Sequence, residues 1–234
     1  MVKKFKALLR DIAAKSPSAT RKKVKLDVES ILNSGIDSLE SLLTALENRQ
    51  TSISIQLTVC WILGQLNDKR ALGVLLKALE SQDSYLSWEA AKSIATLGGN
   101  EAVQHLIQIL SEGKDPHNRA ASAYVLGILG DKQALDSLIY ALSNSDIPEV
   151  RSHAAEALGH MADSRAIHTL ILSLKDNSAE VRFWSTFALG EIGNSVAIPE
   201  LKKLAATDKA CLPDLGLVSK EAENAIERIQ KRRL

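Results

Sequence analysis

His153, Glu156 and His160 are the residues whose types and spacing could do chemistry in this chain. They stand three and four positions apart, so a helix would set all three on one face, with Glu156 able to pair with either imidazole. An imidazole beside a carboxylate is a general-base pair, and two imidazoles with a carboxylate are a metal-ligand set. Helix geometry decides against the metal. Seven residues are two turns, about 10.5 Å of rise, so His153 and His160 cannot both reach one ion without distortion. The expectation is polar groove residues, no metal and no assigned catalytic residue. His105, His117 and His168 have no convergent partners, and the sequence holds no Gly-rich phosphate loop, no HExxH and no GxSxG. Cys60 and Cys211 are too few and too far apart for a disulfide framework or a thiolate site, and Cys60 stands where a neighbouring stretch has Ala155, which predicts a small buried side chain.

The element that positions this trio occurs five times. VRSHAAEALGHMAD (residues 150–163) shares its frame with IQLTVCWILGQLND, SWEAAKSIATLGGN, NRAASAYVLGILGD and VRFWSTFALGEIGN. The closing Asp or Asn falls at 68, 100, 131, 163 and 194, a period alternating between 32 and 31 residues. Such a period predicts an all-α fold, an alpha-alpha superhelix of stacked helix pairs. Second helices are expected over about 52–66, 85–98, 117–129, 148–161 and 179–192. First helices are expected over about 36–48, 70–80, 101–111, 132–143, 164–174 and 196–206. Residues 1–35 read as a basic helical cap, 36–206 as the repeats, and 207–234 as a loop and a capping helix of about 217–231. Gly64, Gly127, Gly159 and Gly190 recur inside second helices, where glycine costs nearly 1 kcal/mol, so a neighbouring helix should cross there with no room for a Cβ.

Arg119, Arg151 and Arg182 share one column of the frame, and regular recurrence gives them a structural role: bonds to the closing acids Asp131 and Asp163, or to turn carbonyls. Function is expected in the columns least committed to the core, the third, fourth, seventh and eleventh positions. These hold Trp61, Tyr124, His153, Glu156, His160, Phe183, Trp184, Phe187 and Glu191. Five of the nine aromatic residues are among them, a stripe suited to anchoring a partner's side chains or a flat conjugated ligand. Phe183, Trp184 and Phe187 form the densest cluster.

Charge is unevenly spread. Residues 1–25 carry nine Lys or Arg against one acid, a net of +8, and the remainder is net −7. Lys3, Lys4, Lys6, Arg10, Arg21, Lys22 and Lys23 make a basic docking surface for an acidic protein partner or, peripherally, an anionic membrane. The charge distribution argues against nucleic acid binding along the whole molecule, because a phosphate groove needs basic residues in every repeat. With no long apolar run and no signal-peptide pattern, a cytoplasmic protein is expected.

The frame VRxxAAxALGxIGD followed by xxAIxxLxxxLxD, best matched at 150–175 and 181–208, resembles the HEAT repeats of the phycobilisome-lyase type over roughly residues 36–206. That resemblance implies a HEAT-repeat solenoid whose second helices line the binding groove. It implies a protein-binding scaffold or adaptor that takes another protein, such as a phycobiliprotein or a second HEAT-repeat subunit. It also admits a bilin lyase subunit or phycobilisome-associated factor, which would hold a linear tetrapyrrole near Phe183, Trp184 and Phe187 with His153 or Glu156 assisting. The scaffold itself requires no cofactor. The family also resembles deoxyhypusine hydroxylase, whose di-iron site uses paired His-Glu steps. No adjacent His-Glu occurs here, which sets that activity aside.

Overall fold

The structure, a computed structural model, describes residues 2–15, 26, 28–29, 31–33 and 35–232. Arg21, Lys22 and Lys23 of the expected basic surface lie outside the described residues. The fold is all-α, of the helical-repeat solenoid class, and the chain divides into two compact units, residues 1–102 and 103–234.

The first unit holds α1 (Val2–Lys15), α2 (Leu39–Glu47), α3 (Ile53–Leu66), α4 (Leu72–Leu79) and α5 (Ser84–Leu97). On α1 the apolar face is narrow. Leu9 is fully buried and Phe5 half-buried, whereas Leu8 is 44% exposed. Lys3, Lys4 and Arg10 are exposed and Lys6 is half-buried. Arg10 is already paired with Glu29 at 3.0 Å. Between α3 and α5, a Cβ at Gly64 would lie 2.9 Å from the Ser93 hydroxyl, which itself donates to the Cys60 carbonyl at 2.8 Å. Cys60 is fully buried, and burial, followed by the charge of Glu89, pushes its thiol far above the ordinary range. A thiol so held is an inert small packing group.

α6 (Asn100–Glu112), within which the division falls, is followed by α7 (Pro116–Leu129), α8 (Leu135–Asn144), α9 (Pro148–Met161), α10 (Ile167–Ser173), α11 (Ala179–Ile192), α12 (Ile198–Thr207) and α13 (Val218–Lys231). The second helices α7, α9 and α11 pack side by side, α13 continues that row, and α12 backs onto α13. Pro116 and Pro148 each open a helix, where the missing N–H is of no consequence. Asp115 caps α7 by accepting from the backbone N–H groups of His117 and Asn118. A two-stranded hairpin, β1 (Cys211–Leu212) with β2 (Gly216–Leu217), interrupts the loop before α13. Periodicity gave no sign of it, because two-residue strands have none.

The glycine column works as expected. A Cβ at Gly127 would stand 2.6 Å from the Ala157 Cα, one at Gly159 3.0 Å from the Ala188 Cα, and one at Gly190 3.0 Å from the Ala225 Cα. Thr96, which holds that column in α5, is exposed and bonds the Lys92 carbonyl of its own helix.

The closing acids have another job than the one expected. Asp68, Asp131, Asp163 and Asn194 each cap a short 3-10 turn by accepting the N–H two residues on, from Arg70, Gln133, Arg165 and Val196. First helices are entered through these turns, so α8, α10 and α12 begin about three residues later than the pattern implied. Asp131 and Asp163 are therefore not partners of the arginine column. Arg151 forks onto Asp176 (Nε–Oδ2 2.7 Å, Nη2–Oδ1 2.9 Å) and gives Nη1 to the Ser145 carbonyl. Arg182 repeats the arrangement with Asp208 and the Asp176 carbonyl. Arg119 donates only Nε, to the Leu110 carbonyl at 3.0 Å. The acids that meet the column, Asp176 and Asp208, follow the first helices α10 and α12, at the end of the second half of the frame rather than at the closing position of the first.

Candidate binding face

Within the C-terminal unit α9 packs between α7 and α11, and α11 between α9 and α13, so two flanks of each are buried and only the strip between them is free. This corrects the third position of the frame. Ala120 and Ser152 are fully buried, and Phe183 is 8% exposed, so Phe183 belongs to the packing rather than to a groove. The free strip is built from the fourth, seventh and eleventh positions. Tyr124 on α7, His153 and Glu156 on α9, and Trp184, Phe187 and Glu191 on α11 are half-buried, and His160 is exposed. Trp61, half-buried on α3, belongs to the N-terminal unit.

These side chains form a connected row. Tyr124 meets the His153 ring edge-on at 5.8 Å between centroids. His153 Nδ1 lies 3.0 Å from Glu156 Oε2, and His160 Nε2 lies 3.9 Å from Glu156 Oε1, so one carboxylate stands between both imidazoles. The His160 ring is 5.7 Å from Phe187. Phe187 is 5.5 Å from Trp184, which is 5.5 Å from Phe183, with interplanar angles of 87° and 86°. Edge-to-face contacts of this kind add about 0.5–1.5 kcal/mol each beyond area burial, and they fix ring orientation. Trp184 is thus held upright between a buried ring and a half-buried one.

Glycines seat this row. A Cβ at Gly159 would come within 3.0 Å of two ring carbons of Phe187, so the glycine of α9 makes the bed in which that ring lies. Gly190 does the same for Arg228, whose Nη2 would stand 2.7 Å from an added Cβ. Arg228 reaches back from α13 over the Phe187 ring, 5.7 Å from its centroid, and is held there by Glu221 and by Glu191 at 3.3 Å. Arg232 also pairs with Glu191 at 3.3 Å. Arg228, Glu221 and Arg232 were not among the residues expected on this face. The signal available was the seven-residue spacing of Glu221 and Arg228, two turns of one helix face.

Chemically, the row offers rings set edge to face, one carboxylate shared by two imidazoles, and a guanidinium already matched by two acids. Among the described residues, no group of three His, Cys, Asp or Glu side chains is placed to hold a metal ion. No described helix is long and apolar enough to cross a membrane.

A family model described as HEAT repeats matches residues 39–127 and 135–211, and one described as the PBS lyase HEAT-like repeat matches residues 119–144. Among proteins with curated descriptions, none matches. Among solved structures, the chain is similar to the complex of CpcE and CpcF of phycocyanin lyase from Nostoc sp. PCC7120, at 22% identity over 71% of this chain and 100% of that one, with a TM-score of 0.55. It is similar to a designed armadillo repeat protein in complex with the peptide (KR)4, at 20% identity over 82% and 99%, with a TM-score of 0.52. It is also similar to a chain of a Kap95p complex with RanGDP, at 13% identity over 98% and 41%, with a TM-score of 0.60. At these identities the likeness is one of fold.

Proposed function

The chain belongs to the HEAT-repeat family, and from that premise we propose that it is a protein-binding scaffold whose C-terminal unit holds a partner on the free strip of α7, α9 and α11. The observation that carries this reading is the Trp184–Phe187 pair, two large rings left half-buried yet fixed by Phe183, His160, Gly159 and Arg228. Ordered aromatic surface of this kind loses little side-chain entropy on binding, and it is where binding energy concentrates in protein interfaces. Tyr124 and the His153–Glu156–His160 group extend the strip with hydrogen-bonding capacity, which sets register rather than affinity. The basic residues of α1, Lys3 and Lys4 foremost, form a second contact surface suited to an acidic partner in the cytoplasm.

The test is capture of a partner on the purified protein, followed by reconstitution with that partner purified. Trp184→Ala combined with Phe187→Ala should abolish the interaction, while Leu172→Ala, on the exposed side of α10, should leave it intact. Retention of full affinity in the double variant would sink the proposal.

A bilin lyase subunit is the second reading, favoured by the match of residues 119–144 to the PBS lyase HEAT-like repeat and by the row of rings from Tyr124 to Phe187. Under it the strip holds a linear tetrapyrrole, with a phycobiliprotein or a second HEAT-repeat subunit as partner. Mixing the protein with a linear tetrapyrrole separates the two: a red-shifted absorption band lost with Trp184→Ala supports the lyase, and an unchanged spectrum removes it.

A further inference from the structure

The arginine column has three rungs, and only two of them are complete. Asp176 faces Arg151 and Asp208 faces Arg182, and each acid also accepts the N–H of the residue two further on, Ser178 at 2.8 Å and Ala210 at 2.9 Å. In the rung of Arg119 the residue that performs this second task is Ser145, whose Oγ accepts the Ile147 N–H at 3.3 Å. Ser145 therefore stands in the acid's place with a side chain too short to meet a guanidinium. Arg119 gives Nε to the Leu110 carbonyl, and neither of its terminal nitrogens has a partner among the described residues.

Space accompanies the missing acid. Beside Arg119 and Ser145 lies a cleft of about 510 Å³, also lined by Leu110, Ser111 and Tyr140, the last 67% exposed. The corresponding cleft beside Arg151, where Asp176 is in place, measures about 390 Å³. We propose that the Arg119 cleft receives a carboxylate from outside, an aspartate or glutamate side chain of a protein partner, which completes the rung.

In the neighbouring rungs a guanidinium at this position of the repeat takes a carboxylate in two parallel bonds, of 2.7 and 2.9 Å in one and 2.6 and 3.3 Å in the other; with Arg119 Nε committed to Leu110, the incoming carboxylate meets Nη1 and Nη2 instead. Two acids line the same cleft. Asp136 is engaged with Arg165 at 3.6 Å, and Asp146 acts on Arg151. Their charge favours a singly charged carboxylate over a doubly charged phosphate. None of the lining residues belongs to the aromatic row, so this site stands or falls independently of the proposed function.

The experiment follows the arginine side-chain ¹H–¹⁵N resonances of the full-length protein, with the Arg119 signal assigned by its loss in Arg119→Lys. Three probes are titrated: N-acetyl-Ala-Glu-Ala-amide, the same peptide with Gln for Glu, and inorganic phosphate. The Glu peptide should shift the Arg119 signal saturably and the Gln peptide should not. Ser145→Asp, which supplies the acid internally, should weaken Glu-peptide binding about tenfold or more. An equal response to Gln and Glu, a stronger response to phosphate, no response at all, or undiminished binding in Ser145→Asp each overturns the proposal. Should Ser145→Asp fail to fold, loss of Glu-peptide binding in Arg119→Lys, measured at the Ser111 and Tyr140 backbone amides, decides the matter.

Discussion

Arg182 and Asp208 are joined by two bonds, Nε to Oδ2 at 2.6 Å and Nη2 to Oδ1 at 3.3 Å, and they tie the start of α11 to the loop that follows α12. Only 6% of the Asp208 side chain and 18% of the Arg182 side chain is exposed. Burial works to raise the carboxyl's pKa, but the Arg182 bonds, the Ala210 N–H and the guanidinium charge together hold it below the usual carboxylate range. Asp176 is lowered in the same way by Arg151.

A depressed carboxylate contributes stability that is present above its unfolded pKa, about 3.9, and is lost as pH falls through its folded value. Asp208→Asn should cost about 2 kcal/mol at neutral pH, since it leaves a half-buried guanidinium with a poorer acceptor. The difference between wild type and variant in urea melts should be constant from about pH 8 to 5 and should shrink below about pH 4. A difference independent of pH would show that the pair is not what stabilises this end.

Gly127→Ala places a methyl 2.6 Å from the Ala157 Cα, a backbone atom that cannot swing aside. It should destabilise by about 1–3 kcal/mol in thermal or denaturant unfolding. Gly73→Ala is the matched control, with nothing within 4 Å of the added carbon, and should stabilise by about 0.5–1 kcal/mol through helix propensity alone. Equal effects at the two sites would remove the close-crossing explanation of the glycine column.

Second helices α7 and α11 end on left-handed glycines, Gly130 at φ 62° and Gly193 at φ 77°, whereas α9 ends on Ala162 at φ 50°. An L side chain in that region costs about 1–2 kcal/mol. Ala162→Gly should raise the melting temperature by a few degrees, corresponding to about 1 kcal/mol; an unchanged melt would mean that the chain relaxes there at no cost.

Phe183 and Trp184 are neighbours with opposite tasks. Phe183→Ala empties a buried site and should cost about 3–5 kcal/mol of stability. Trp184→Ala should cost far less stability while removing partner binding. If circular dichroism melts ranked the two variants the other way, the burial assigned to these rings would be wrong.

The helices were legible to within a few residues because the packing that makes them repeats every 31 or 32 positions, and side chains such as Val150, Ala154 and Leu158 mark it directly. The glycine contacts were legible too, since a residue unfavourable in a helix needs a reason each time it returns. What escaped was set by contacts across the repeat. Phe183 looks like Trp184 in a sequence, and only the second flanking helix makes one of them core. Asp131 and Asp163 have the right charge for Arg151 and Arg182, but their own 3-10 turns occupy them locally. Arg228 sits among surface charges in the sequence, and Gly190 on another helix is what lets it lie down over Phe187.

The crossings at Gly127, Gly159 and Gly190 are met by Ala157, Ala188 and Ala225 in turn, so α13 presents to α11 the same small residue that one repeat presents to the next. The subunits of this architecture are therefore interchangeable parts. Excision of residues 150–180, one period of 31, brings Ala188 opposite Gly127 and creates no junction that the protein does not already contain. Evolution can lengthen or shorten such a molecule by copying or dropping a unit, and α13 keeps Glu223, Glu227 and Lys220 on its exposed side.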